Sequence, residues 1–391
     1  MREVVIIDGV RSANTRAHKT KGWFRNKRAD EIMTAVYDGL FARNPKVKPE
    51  DVEAVFCGTA KQVGQTLDIG RLAWLAGGYP EQVAANTICQ QCPSGMSALE
   101  HAARAIMVGD GDTYIVAGCE DMLAVPMSMG IDFAPRLAVR YAPGALTMGA
   151  TAEKVAEVYN VDPHDMRLMA LYSNQRAAAA RDAGKFDNEI IPIEGHDDEG
   201  NPFMVKTDQW IRDDISMEAM EKMTSPFKEN GVITAAMSSP LTTGACAMIV
   251  MARDKADELG LDYSFKYVRG AMAGNDPTMM GIGPIPAVRK LLDRTGLTID
   301  DIDVIELNEA FSSQALVVLR ELGIGQNPPF EKVNMWGGAL ALGHPLGESG
   351  ARIIITLMNI MKTEKPDSKY GLATLCGGFG NANAVIIEKI K

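Results

Sequence analysis

Two short stretches 252 residues apart (344 minus 92) share one pattern: Cys92-Pro93-Ser94-Gly95-Met96-Ser97 and His344-Pro345-Leu346-Gly347-Glu348-Ser349. Each reads X-Pro-x-Gly-x-Ser, with a thiol at X in one copy and an imidazole in the other. A second matched pair, Asp51 to Ala60 and Asp301 to Ala310, lies at an offset of 250 residues (301 minus 51). A third, Tyr114 to Cys119 and Gly371 to Cys376, falls a few residues further apart. Matches at nearly one offset indicate an internal duplication, which limits the chain to folds built from two similar halves.

Each X-Pro copy is followed by an apolar stripe at helical spacing: Met96, Leu99, Ala103 and Ile106 in the first, Ile354, Leu357, Met358 and Met361 in the second. Proline just after X suits a first helical turn, where its missing N–H costs nothing. Cys92 and His344 are therefore each expected at the mouth of a buried helix, whose positive end would help hold Cys92 as thiolate.

In chain order, Val4 to Ile7 reads as a buried strand and Ala29 to Ala42 as an amphipathic helix. Asp51 to Ala60 and Tyr114 to Cys119 read as strands ending in loops, so each half alternates strands with helices in an α/β arrangement. Between the halves, Glu120 to Cys246 has no counterpart in the second copy. It holds loops from Met122 to Gly149, then a helical run from Thr151 to Ala183 broken near Pro163 and stopped by Gly184. The polar stretch from Asn188 to Asp214 follows. The expected units are 1–119 with 247–268, an inserted loop domain over 120–246, and 269–391. Such an insertion on a rigid core suits substrate recognition.

A net charge of −10 argues against nucleic acid or an anionic membrane as the main partner, although Arg16 to Arg28 forms a local basic run. The six cysteines and five histidines lack metal-ligand spacing beyond Cys89-x-x-Cys92, so no metal is expected. Scattered cysteines without a leader pattern, and no apolar run of membrane length, point to a reducing cytoplasmic setting.

Four segments carry chemistry: Cys92, Asn308-Glu309-Ala310-Phe311, the glycine-rich approach from Gly337 to His344, and Cys376-Gly377-Gly378. In a duplicated core, equivalent loops converge on one face. A thiolate can take an acyl group, His344 can receive the thiol proton, and Cys376 can carry a proton to and from a carbon leaving group. Backbone N–H groups of Cys92 and Gly378 can form an oxyanion site.

On these residues the chain resembles the thiolase family along nearly its whole length. Asn308 to Phe311, Gly338 to Gly350 and Cys376 to Gly378 carry the most specific likeness. Met148 to Glu153 and Phe186 to Pro192 add to it. The likeness is greatest to bacterial degradative 3-ketoacyl-CoA thiolases. It implies a duplicated five-layered α-β-α-β-α core with an inserted CoA-binding loop domain. It also implies an acyltransferase that cleaves 3-ketoacyl-CoA with CoA, or runs the reverse condensation, as in fatty acid β-oxidation. Cys92 would be the acylated nucleophile and His344 its activator; Asn308 would hold a water in an oxyanion site. Cys376 would handle the α-carbon proton and Gly378 N–H would serve the other oxyanion site. Ser239, Met148 and Phe311 would contact substrate or CoA. CoA would be a co-substrate, with no cofactor permanently bound. The resemblance further implies a homodimer or homotetramer, with a hydratase/dehydrogenase subunit of a β-oxidation complex as a candidate partner.

The sequence departs from the family at Cys89 and Gln90, where asparagine and arginine are usual, at Thr242-Thr243 and Thr224, and at Glu348, where a small residue is usual. Other readings are a biosynthetic acetoacetyl-CoA thiolase, a non-catalytic acyl-CoA or lipid-binding relative, and a Cys89–Cys92 thiol oxidoreductase. Against the chemical reading of each residue stands a plain one: a lone cysteine is usually a small buried hydrophobe, and Asn308 could simply cap a helix from Glu309.

Overall fold

The structure, a computed structural model, describes residues 1–390. The first half opens with β1 (Val4–Arg11) and the short β2 (Thr15–Arg16), then α1 (Ala29–Arg43), β3 (Ala54–Gly58), α2 (Ile69–Ala76), β4 (Ala84–Ile88), α3 (Ser94–Val108) and β5 (Thr113–Asp121). The insertion carries α4 (Pro135–Arg140), α5 (Met148–Val158), α6 (Pro163–Asp182), the hairpin β6 (Ile193–His196) and β7 (Pro202–Val205), and α7 (Met217–Glu221). The chain then returns to the first half as β8 (Thr242–Ala252) and α8 (Arg253–Glu258). The second half is β9 (Phe265–Gly274), α9 (Pro284–Thr295), β10 (Val304–Leu307), α10 (Ser312–Glu321), α11 (Ala339–Leu342), α12 (Leu346–Thr363), β11 (Tyr370–Gly377) and β12 (Asn381–Lys389).

The main sheet runs β10-β11-β12-β9-β1-β8-β5-β3-β4, with β2 attached to β8. Read outward from its centre, it repeats itself. β1–β8 and β8–β5 pair antiparallel, and β5–β3 pairs parallel. On the other side β9–β12 and β12–β11 pair antiparallel, and β11–β10 pairs parallel. Even the outer β3–β4 pairing has a trace in the parallel bridge Ile305 to Val333. The duplication inferred from offsets is thus a repeat of topology, joined where Val5 and Ile6 face Lys266 and Phe265.

Between the two sub-sheets lie α3 and α12. Only Lys362 and Thr363 of α12 escape burial. Its sequence explains this, because Ile353, Ile355 and Ile360 add apolar faces to the stripe of Ile354, Leu357 and Met361. A helix apolar on all sides belongs in an interior. Each such aliphatic side chain contributes on the order of 1.5–3 kcal/mol on burial. Glycine lets the two helices touch backbone to backbone: a Cβ on Gly95 would sit 2.8 Å from the Gly347 carbonyl oxygen, and one on Gly350 would sit 2.6 Å from the Met96 nitrogen. Outside the sheet, α1 packs against β1 and β8, and α9 against β9 and β12.

Pro163 starts α6 at a helix N-terminus capped by the Asp162 carboxylate, which accepts from the His164 N–H, and Gly184 follows the helix at φ +66°. The insertion's expected end needs correction: β8 runs unbroken from Thr242 to Ala252, through the expected boundary at residue 247. Strand pairing of Cys246 with both Arg11 and Gly118 fixes that stretch in the core sheet. Among the described residues no helix is long and apolar enough to cross a membrane.

Candidate active site

The chain turns sharply into α3 through Gln91, which holds a left-handed φ of +60°, a strained setting for a non-glycine residue. The Ser94 hydroxyl accepts from the Gln90 N–H at 2.9 Å and fixes the turn. Cys92 sits inside this turn, 6% exposed. Gly377 lies against it, since a Cβ there would fall 2.5 Å from Pro93 Cδ. That close approach brings the loop after β11 over the thiol. The backbone N–H groups of Gly378 and of Cys92 itself act on the Cys92 sulfur and favour its charged form.

Burial nevertheless pushes the Cys92 thiol up to about 12, the two N–H groups opposing and the Glu120 carboxylate adding to the rise. The expectation that a helix mouth would keep Cys92 ionised at rest is therefore corrected: desolvation outweighs the helix end, and the resting group is a thiol. Cys376 is fully buried, and burial followed by the neighbouring Cys92 raises it too. The loop beyond it turns through Phe379 at φ +63° and Gly380 at φ +82°.

On the other side, Gly343 at φ +88° turns the chain into His344, whose ring is buried. Its Nδ1 lies 2.6 Å from Ser349 Oγ, and its Nε2 lies 3.4 Å from Asn308 Nδ2. Ser349 Oγ in turn donates to the Pro345 carbonyl at 3.4 Å. The partners assign the proton to Nδ1 and leave Nε2 as an acceptor. Burial, helped by the Arg352 charge, pushes His344 down to about 3, so the ring is neutral. Asn308 is held by its N–H to the Thr374 carbonyl at 3.0 Å. It caps no helix, because α10 begins only at Ser312. Its neighbour Glu309 accepts from Ser173 Oγ and Asn334 Nδ2, both at 2.7 Å, and from the Leu340 N–H at 3.2 Å. This buried carboxyl anchors the loop that presents Asn308.

Ser239 donates its N–H to the Ala310 carbonyl at 3.0 Å, and Ser238 bridges to Phe311. Phe311 meets Phe227 edge to face, with ring centroids 6.1 Å apart. Gly149, beside Met148, lies under Phe227, where a Cβ would be 2.2 Å from the ring. The backbone of Ser239 thus lies beside Phe311, and Gly149, next to Met148, meets the same aromatic pair. Past it opens a groove of about 330 Å³ lined by Ala145, Ala150, Glu153, Lys154, Glu157, Phe227 and Lys228.

The chain matches the family description "Thiolase, N-terminal domain" over residues 4–254 and "Thiolase, C-terminal domain" over residues 262–389. The chain belongs to the thiolase family. It is 44% identical over 391 residues to the 3-ketoacyl-CoA thiolase of Marinomonas sp. (strain MWYL1), covering 99% of this chain and 98% of that one. It is 42% identical to the 3-ketoacyl-CoA thiolase of Vibrio vulnificus (strain CMCP6), with both chains fully covered. The crystal structure of the Bacillus anthracis acetyl-CoA acetyltransferase superposes with a TM-score of 0.89 at 33% identity, covering 100% of this chain and 99% of that one.

In this thiolase the structure brings Cys92, Cys376 and Gly378 together, and His344 with Asn308; the contact of Gly95 with Gly347, each three residues past X, joins the two groups. Sequence reasoning did not single out Ser349, Glu309, Gln91 or Phe227. Ser349 had a signal, as the repeated serine of the X-Pro-x-Gly-x-Ser pattern. The basic run is occupied with structure: Arg25 donates to the carbonyls of Gly22, His196 and Asp197, Arg28 pairs with Asp30, and the Arg16 guanidinium sits 4.6 Å from the Trp210 ring centre. Cys89 is exposed, 3.4 Å from the Ala60 carbonyl oxygen, and all six cysteines are free. Among the described residues, no group of three or more His, Cys, Asp and Glu is placed to hold a metal.

Proposed function

We propose that this chain cleaves 3-ketoacyl-CoA with CoA, through an acyl group carried on Cys92. The observation that carries the reading is the close approach of the Gly377–Gly378 turn to the Cys92 turn, which sets the Gly378 and Cys92 N–H groups and Cys376 beside the Cys92 sulfur. Cys92 sulfur attacks the C3 carbonyl as its proton passes to Nε2 of His344. The negative oxygen that forms is held by the two N–H groups. The C2–C3 bond breaks, Cys376 gives its proton to C2, and acetyl-CoA leaves. The enolate oxygen formed in that step is stabilised on the His344–Asn308 side. Incoming CoA then yields its thiol proton to Cys376 and attacks the acyl group. The bond to Cys92 breaks, His344 returns its proton to the sulfur, and acyl-CoA two carbons shorter is released.

The groove beyond Phe227 suits the phosphorylated end of CoA. Lys154 and Lys228 line it, and their exposed pairings with Asp276 and Glu157 are weak enough to exchange for phosphate. We place the insertion's end before Thr242, and read it as the CoA-binding unit. Six free cysteines support a reducing cytoplasmic compartment. Edge strand β4 offers unpaired backbone for a homodimer or homotetramer. Association with a hydratase/dehydrogenase subunit rests on the family likeness alone.

The test is CoA-dependent cleavage of acetoacetyl-CoA and of medium- and long-chain 3-ketoacyl-CoA, with Cys92→Ala as control. Cleavage lost in the variant supports the acyl-cysteine route. Activity confined to acetoacetyl-CoA would favour a biosynthetic role, and folded protein without any activity would favour a non-catalytic acyl-CoA binder.

A further inference from the structure

Glu348 is the one acid in the repeated X-Pro-x-Gly-x-Ser pattern, where the first copy has Met96. It precedes Ser349, which holds His344, and is fully buried with neither carboxylate oxygen bonded to another protein group. One helical turn on, Arg352 is equally buried, and its Nε, Nη1 and Nη2 are without a protein hydrogen-bond partner. A buried acid is a poor packing residue, because its charge must be matched or suppressed. Here the match is electrical: the Arg352 charge acts on Glu348 and on His344 together.

We propose that Glu348 is a positioning residue for His344, offsetting through Arg352 the positive charge against which the imidazole must take up a proton. The inference rests on His344 being the base in Proposed function. Arg352 alone disfavours imidazolium; a carboxylate at the next turn restores the balance when the Cys92 proton arrives. The other charged or titratable groups around Glu348 are Arg11 on β1, Cys246 on β8, Glu120 on β5, and Glu189 and Asp208 from connecting segments, with Glu306 on β10 sharing the Arg352 charge. Arg11 is already engaged by Glu189 and Asp208, so Arg352 is the larger cationic influence on Glu348, and its charge also reaches Glu306 and Glu309. The α3 helix meets α12 through Gly95 and Met96 and brings no charge to this contact. Burial holds the Glu348 carboxyl up, to about 7, with Arg352 and Arg11 opposing, so its charge changes within the working pH range.

The test is single-turnover acylation of Cys92 by acetyl-CoA, followed by intact mass from pH 5.5 to 9. Wild type, Glu348→Gln and Glu348→Asp are compared, each checked for a cooperative melt. The wild-type rate should rise through neutrality as Glu348 ionises. Glu348→Gln, which keeps shape but not charge, should lose that limb and acylate about tenfold more slowly at pH 8, the order expected for one buried unit charge. Glu348→Asp should retain the limb. A packing role predicts the reverse, with glutamine tolerated and aspartate harmful, and would overturn the proposal. So would a wild-type profile flat across neutrality, which needs no variant to fold. Wild type that never acylates would instead refute the reading of Cys92 and His344.

Discussion

Replacing Ser349 by alanine removes one oxygen from a fully buried site and leaves the His344 Nδ1–H without the acceptor now 2.6 Å away. An orphaned buried donor costs about 1–3 kcal/mol. The ring can escape that cost by moving its proton to Nε2, the atom that must be free to accept from Cys92 in the proposed mechanism. Either response falls on the transition state rather than on acyl-CoA binding, because Ser349 lies behind the ring. At about 1.4 kcal/mol per tenfold, acylation should slow by about 5- to 150-fold. The KM for acetyl-CoA under single-turnover conditions should stay within about twofold, a pattern that marks loss of a transition-state interaction. Alanine fits the vacated volume, so the melting temperature should change little. Rapid-quench mass measurement of acyl-Cys92 against acetyl-CoA concentration separates the two constants. A Ser349→Ala enzyme acylating at the wild-type rate would refute the assignment of the Nδ1 proton and of Ser349 as its acceptor.

Three other outcomes follow from the same geometry. Gly347→Ala places a Cβ 2.3 Å from Thr59 Cα, backbone against backbone, so soluble folded protein should be absent or its melting temperature sharply lowered; a normal melt would contradict the close approach of α12 to the loop after β3. Lys228→Glu, alone and with Lys154→Glu, should raise the KM for CoA severalfold while leaving Cys92 acylation by saturating acetyl-CoA unchanged, and an unaltered KM would move the phosphate site elsewhere. His344 has its folded pKa depressed, from 6.5 to about 3, so its contribution to stability is complete above pH 6.5 and is lost as pH falls. Between pH 7 and pH 5 wild type should therefore lose about 2 kcal/mol more than His344→Asn in urea unfolding; parallel losses would show that the ring is solvated.

Much of the fold is legible because duplication leaves its mark at the level of residues. Asp51 to Ala60 and Asp301 to Ala310 became β3 and β10, and the two X-Pro copies became the entries to α3 and α12. Local punctuation was equally readable, as at Pro163 and Gly184. The end of the insertion was not: Ser239-Pro240 marks only a local break, and the strand Thr242 to Ala252 is assigned to the core by pairing with β1 and β5, partners far away in sequence. The same limit applies to the site. Cys92, His344 and Asn308 announce themselves by motif, whereas Glu309 works through Ser173, Asn334 and Leu340, contacts that no spacing reveals. The ionisation state of Cys92 is hidden from the sequence for a related reason. A helix N-terminus can be read from sequence, but the desolvation that overrides it comes from the whole surround.

That neutral resting state has a chemical consequence. A preformed thiolate–imidazolium pair would be solvated by the N–H groups of Gly378 and Cys92 before any substrate arrived, and those donors would then stabilise ground state and transition state alike. With burial keeping Cys92 a thiol and His344 an imidazole, the donors meet little negative charge until, in the proposed mechanism, the carbonyl is attacked. Their effect is then concentrated on the oxygen that becomes negative, where fixed dipoles in a dry site act most strongly. The left-handed Gln91 and Phe379 fit this account, since such strained turns persist only where the surrounding structure fixes them, and they flank the residues that carry the two N–H groups. Burial of the nucleophile, a burden for its ionisation, is on this argument the source of its selectivity for the transition state.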